Sequence, residues 1–157
     1  MKIHIKKMLA IMVVNVSIFT MGCSSEIKVS INDIESNLIK NIDTESMEKG
    51  NQKTLRRFYG INPDDLEDFV LYTPKSNMDV DEMLVLKAKD LEKVDFIEES
   101  IESRVNRQIE NFNGYGVDQV GLLDNYEMKI EGKYVFFVVS NKAEEIKEEF
   151  VKSIKNK

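Results

Sequence analysis

Apolar residues along this chain recur in two rhythms, and each rhythm marks one kind of element. The longest series steps by three or four through Leu91, Val94, Ile97, Ile101, Val105, Ile109 and Phe112. That spacing stacks the side chains on one face, so a single long amphipathic helix is predicted, with Asp90 as its N-cap. Glu98, Glu99, Glu102, Arg104 and Arg107 fall on its other faces, and charged rows of this kind are ordinarily solvated. Earlier in the chain, Ser30 precedes Asp33 at capping-box spacing, and Ile31, Ile34, Leu38 and Ile42 follow at helical intervals; the polar stretch 43–50 ends that helix. A short second helix is expected over residues 55–59, closed by Gly60 and the turn at Pro63. A last helix starts at Asn141 with Glu144, buries Ala143, Ile146, Phe150 and Ile154, and ends among Lys152, Lys155 and Lys157, where cations oppose the helix dipole.

The two-residue rhythm appears in four places. Residues 69–73 and 82–88 read as an antiparallel pair of strands joined through Pro74 and Asn77. In the second of these, Leu84, Leu86 and Ala88 share one face and Met83, Val85 and Lys87 the other, and one of the two faces is expected to be core. Tyr126, Met128 and Ile130 alternate with Glu127, Lys129 and Glu131, and Gly132 supplies a tight turn into residues 134–139. That last strand is apolar on both faces, which places it inside the sheet or under a helix or partner. Residues 114–125 are ambiguous, with a turn of helix near Val120 and Leu123. The expected fold class is α+β, with helices packed on a four-stranded, mainly antiparallel sheet in the order α-α-β-β-α-β-β-α. A β-β-α pattern occurs twice, without enough similarity to mark a duplication.

The first residues change this picture, because they read as a targeting segment. Lys2, Lys6 and Lys7 precede an apolar run over residues 8–21, too short and too quickly followed by Ser24, Ser25 and Glu26 to serve as a spanning helix. Phe19, Thr20, Met21, Gly22 and Cys23 resemble the lipobox of bacterial lipoproteins, with Thr20 where leucine is usual. The resemblance implies cleavage before Cys23 and a covalent diacylglycerol on its sulfur, since a small residue lets the backbone enter the peptidase and the thiol supplies the nucleophile. The division expected is therefore a signal peptide over 1–22, a short tether over 23–29, and one domain over 30–157. More than one acyl chain gives stable attachment to a bilayer.

The 157-residue chain carries 22 basic and 28 acidic residues, a formal charge of -6. Removing the leader leaves 19 basic against 28 acidic, or -9. A surface of that sign repels phosphate backbones, and no basic patch stands out in the sequence, so nucleic acid is not an expected partner. Cys23 is the single cysteine, which excludes an intrachain disulfide, and the one histidine, His4, lies in the leader. A serine or cysteine hydrolase would need a base that the mature domain does not offer as histidine. Carboxylates gather at Asp64, Asp65, Glu67 and Asp68, and again at Asp79, Asp81 and Glu82. Asp79 and Asp81 are weak candidates for calcium, without the glycine and ligand spacing of an EF-hand. The loop Asn113, Gly114, Tyr115, Gly116 reads as flexible and carries an aromatic that could touch a ligand or polymer, although such a sequence more often merely ends a long helix.

Taken together, Tyr59-Gly60-Ile61 with Pro63, Asp65-Leu66-Glu67, the strand over 82–89, Arg104, Gly114-Tyr115-Gly116 and the strand over 132–140 resemble an uncharacterised family of Gram-positive lipoproteins, domain of unknown function 4358, across about residues 50–150. The resemblance implies an exported, membrane-anchored protein on the extracytoplasmic face and implies no activity or catalytic residues. The leading expectation is a non-enzymatic module binding an envelope protein or wall component, with Tyr59, Tyr115 and Phe137 as candidate contacts and no cofactor beyond the lipid. The alternatives are an enzyme working through acidic residues, calcium-dependent or not, and a small-ligand receptor.

Overall fold

The protein is described here from a computed structural model covering residues 27–42 and 45–155. The leader, Cys23 with its expected lipid, and Lys157 lie outside the described residues. The elements run α1 (Ile31–Leu38), β1 (Met47–Lys49), α2 (Gln52–Tyr59), β2 (Leu66–Pro74), β3 (Glu82–Ala88), α3 (Val94–Phe112), α4 (Val117–Asp124), β4 (Glu127–Glu131), β5 (Tyr134–Val139) and α5 (Ala143–Lys155). The sheet is wholly antiparallel, in the order β1-β2-β3-β5-β4. The α+β class therefore holds, with five strands where four were expected.

Strand chemistry dictates that order. β5 is buried along its whole length and β3 at six of seven positions, so both need neighbours on either side and helices on either face. Glu82 lies opposite Val139 at one end of their pairing, and Lys87 opposite Tyr134 at the other. β4, half-buried throughout, and the three-residue β1 take the two edges. Short edges carrying Glu48, Lys49, Glu127, Lys129 and Glu131 discourage further strands from adding. Gly132, at φ 60, adopts the left-handed backbone that the two-residue β4–β5 turn requires.

Both faces of the sheet are core. On one, α2, α3 and α4 cover Leu71, Leu84, Leu86, Val135 and Phe137. On the other, α1 and α5 cover Val70, Met83, Val85, Phe136 and Val138. The expectation that one face of β3 is core is corrected accordingly. The apolar second face of β5 is covered from within the chain, where Phe136 stacks on Phe150 at 4.8 Å between ring centroids.

Local signals set most helix ends. Ser30 Oγ accepts from the Asp33 backbone N–H at 3.1 Å. Gly60, at φ 70, closes α2 in the left-handed conformation. Asp90 makes no side-chain cap; a 3-10 turn over Leu91–Lys93 leads into α3 instead, which leaves Leu91 outside the buried stripe. Ahead of α1 the chain is held to the sheet. The Val29 N–H donates to the Tyr134 hydroxyl at 3.1 Å, and that hydroxyl donates to Val29 O at 2.6 Å with Ile27 O at 3.3 Å. Part of the stretch read as tether thus packs as domain, with Val29 buried.

Candidate functional site

Three side chains from three elements meet where β3 begins. Glu82 opens the strand, Tyr59 ends α2, and Arg104 lies midway along α3. Because β3 is central and covered on both faces, its first carboxylate is carried under the helices, and its side chain is 3% exposed. A charge so deeply placed persists only with a counter-charge and hydrogen bonds. Arg104 Nη2 donates to Glu82 Oε2 at 2.8 Å, and the Tyr59 hydroxyl donates to Oε1. Burial pushes the Tyr59 hydroxyl well above its ordinary value of 10.0 and the charge of Glu82 pushes it further, so it remains a protonated donor at neutral pH.

The Arg104 guanidinium is satisfied on one edge only. Its Nε is buried and meets no acceptor, the one such side-chain atom among the described residues. Its central carbon lies 4.4 Å from the centre of the Phe58 ring, and that of Arg57 lies 4.5 Å from the same ring.

Above this cluster is a hollow of about 380 Å³, walled by the turn between β2 and β3, by α3, and by the α3–α4 loop. Phe58, Arg104, Gln108, Asn111, Asp79 and Tyr115 are among its lining residues. Its walls are tied down. Gln119 Nε2 donates to Met78 O at 3.1 Å, fixing the β2–β3 turn against α4. The N–H groups of Tyr115 and Gly116 both donate to Phe112 O, at 3.2 and 2.9 Å. Gly116 lies so close to Phe112 that an added Cβ would fall 2.5 Å from its ring, so this loop needs the missing side chain.

The residues singled out from sequence separate here. Tyr115 is 64% exposed at the rim of the hollow, its ring 5.7 Å from that of Phe112. Tyr59 is buried beneath the hollow in the Glu82 cluster. Phe137 is a core ring, edge-on to Tyr59 at 6.3 Å and tilted against Tyr126 at 5.7 Å. Asp79 lines the hollow and also, with Asp81, a second polar recess that Lys40 and Lys142 share. Among the described residues, no three His, Cys, Asp or Glu side chains gather as a metal-ligand set.

Two residues were misjudged in sequence. Arg104, counted with the solvated face of its helix, is 12% exposed, and Glu82, counted with an acidic cluster, is its buried partner. A charged residue heading a strand that is apolar on both faces is the signal that could have exposed this pair. A basic row also emerges on α2, where exposed Lys53, Arg56 and Arg57 border a shallow recess.

The fold and hollow define a small α+β domain with a lined surface recess over a buried ion pair. The family described as Domain of unknown function (DUF4358) matches residues 40–140, and the chain belongs to that family. The matched span contains Tyr59, Glu82, Arg104 and Tyr115. No curated protein and no solved structure matches the chain. Among the described residues, no helix is long and apolar enough to cross a membrane.

Proposed function

We propose that this protein is a lipid-anchored, extracytoplasmic binding module whose ligand site is the hollow above Arg104. The anchoring half of the reading is supported by the lysine-led apolar leader and the lipobox-like run ending at Cys23. The binding half is carried by one observation: the hollow lies over a guanidinium held in place by Glu82 whose Nε–H has no acceptor in the protein. A buried donor left unmet costs about 1–3 kcal/mol and calls for an explanation, of which a bound water or ligand completing the bond is one.

The partner is an envelope protein or a wall component reached from the membrane surface. The test is photo-crosslinking in native membranes with mass spectrometry of the adducts, comparing the native chain with Tyr115→Ala and Cys23→Ala. The expected result is one reproducible adduct, lost in both variants, with diacylglycerol on Cys23 of the native chain. An adduct unaffected by Tyr115→Ala overturns the site, and an unmodified Cys23 in the membrane fraction overturns the anchor.

A further inference from the structure

We propose that the hollow takes a neutral glycan, one chain of pyranose units lying against Tyr115; this rests on the binding reading above and names its ligand class.

The polar residues of the hollow favour a ligand rich in hydroxyl groups. Asn77, Gln108 and Asn111 line it, and their side-chain amides make no hydrogen bond to other described residues. Each amide offers two N–H donors beside a carbonyl acceptor. A sugar hydroxyl both donates and accepts, so adjacent hydroxyls on a ring match an amide edge. An apolar ligand would strand these amides without partners.

Charge argues against an anion. The positive charge of Arg104 is already engaged by Glu82, which leaves Asp79 as the uncompensated formal charge among the lining side chains. A phosphate or carboxylate entering the hollow would meet that carboxylate rather than a free cation. The basic residues that could draw an anion, Lys53, Arg56 and Arg57, line a different recess on α2.

The aromatic components fit the same ligand. Tyr115 is largely exposed but not loose, because its backbone is tied to Phe112 and its ring rests against the Phe112 ring. Such a ring is a preorganised platform for the C–H face of a pyranose and loses little freedom on binding. The volume, about 380 Å³, lies at the lower end of ordinary small-ligand sites, about 300–1,000 Å³.

The test is isothermal titration of the purified full chain with two uncharged probes, the tetramers of N-acetylglucosamine and of glucose, alongside Tyr115→Ala and Asn111→Ala. Both residues are exposed, so unchanged unfolding midpoints of the two variants confirm intact folds. Saturable binding of either tetramer, weakened about tenfold or more in each variant, supports the proposal. Binding that the variants leave unchanged overturns it, since the sugar would then sit elsewhere. No binding of either tetramer, while the membrane crosslink still depends on Tyr115, overturns the glycan class and leaves the site standing. If both the tetramers and that crosslink fail, the binding reading falls with it.

Discussion

Replacing Glu82 by leucine should be among the most damaging single changes in the domain, and further replacements should reverse it. The substitution removes both oxygens that receive Arg104 and Tyr59, leaving a guanidinium only 12% exposed with no counter-charge. Breaking a buried pair in this way costs about 3–5 kcal/mol, a large part of the roughly 5–15 kcal/mol that stabilises a domain. The orphaned Tyr59 hydroxyl raises the cost within that range. Exchanging all three groups for apolar ones, as Tyr59→Phe, Glu82→Leu and Arg104→Met together, removes the unpaired charge and donor, and most of the loss should return. The assay is urea unfolding followed by circular dichroism, read as a change of midpoint at constant slope. An exposed pair supplies the comparison: Lys152 and Glu149, 57% and 36% exposed, should shift the midpoint little when Glu149 becomes Gln. A Glu82→Leu loss no larger than the Glu149→Gln loss, or no recovery in the triple variant, would refute the reasoning.

Phe137→Ala should cost about 3–5 kcal/mol in the same assay, because the ring is fully enclosed between Tyr59 and Tyr126; a loss under about 1 kcal/mol would show that it is not core. Gly50→Ala should destabilise by about 1–3 kcal/mol, since its Cβ would lie 2.8 Å from Leu71 Cδ2, whereas Gly121→Ala, in open space within α4, should stabilise by up to about 1 kcal/mol; equal midpoints for the two would contradict the packing. Stability should fall in alkali from about pH 10 upward, because the Tyr59 hydroxyl ionises less readily folded than unfolded: its contribution is complete below the unfolded value of 10.0 and is lost as pH rises through the folded one. Tyr72, pushed up to about 12 by burial and its bond to Glu35, acts in the same direction, so Tyr59→Phe should reduce the slope without abolishing it; an unchanged slope would count against the buried hydroxyl.

What was legible in sequence is what depends on neighbours along the chain. The stripe through Val94, Ile97, Ile101, Val105 and Phe112 and the two-sided apolarity of β5 are local patterns, and both elements formed where expected. β1 escaped because Met47-Glu48-Lys49 has one apolar residue in three. It is a strand through its pairing with Pro74, Thr73 and Tyr72, which lie more than twenty residues away. α4 was ambiguous for a related reason: Leu123 is its one buried residue, Val117 is 82% exposed and Gly121 weakens its propensity, so packing on α3 decides it. Of the site, sequence singled out Tyr115, a rim residue in a glycine-flanked loop, Asp79 in the lining and Tyr59 beneath it. Glu82 and Arg104 read as surface charges in their own segments, and only the stacking of α2 and α3 over the head of β3 joins them with Tyr59 in one cluster.

The clasp of Tyr134 on the chain at Ile27 and Val29 would also bear on which way a lipid-anchored molecule faces. Three residues separate Cys23 from Ile27, so over the four steps between them the Cys23 backbone could stand no farther than about 14 Å from the clasp. Tyr134 pairs with one end of β3 and Glu82 marks the other, five residues or about 17 Å along the strands. An acylated Cys23 would thus moor the sheet by its near end, as a mast is stepped in a deck. The hollow would be carried at the top, aimed away from the bilayer toward whatever lies beyond it.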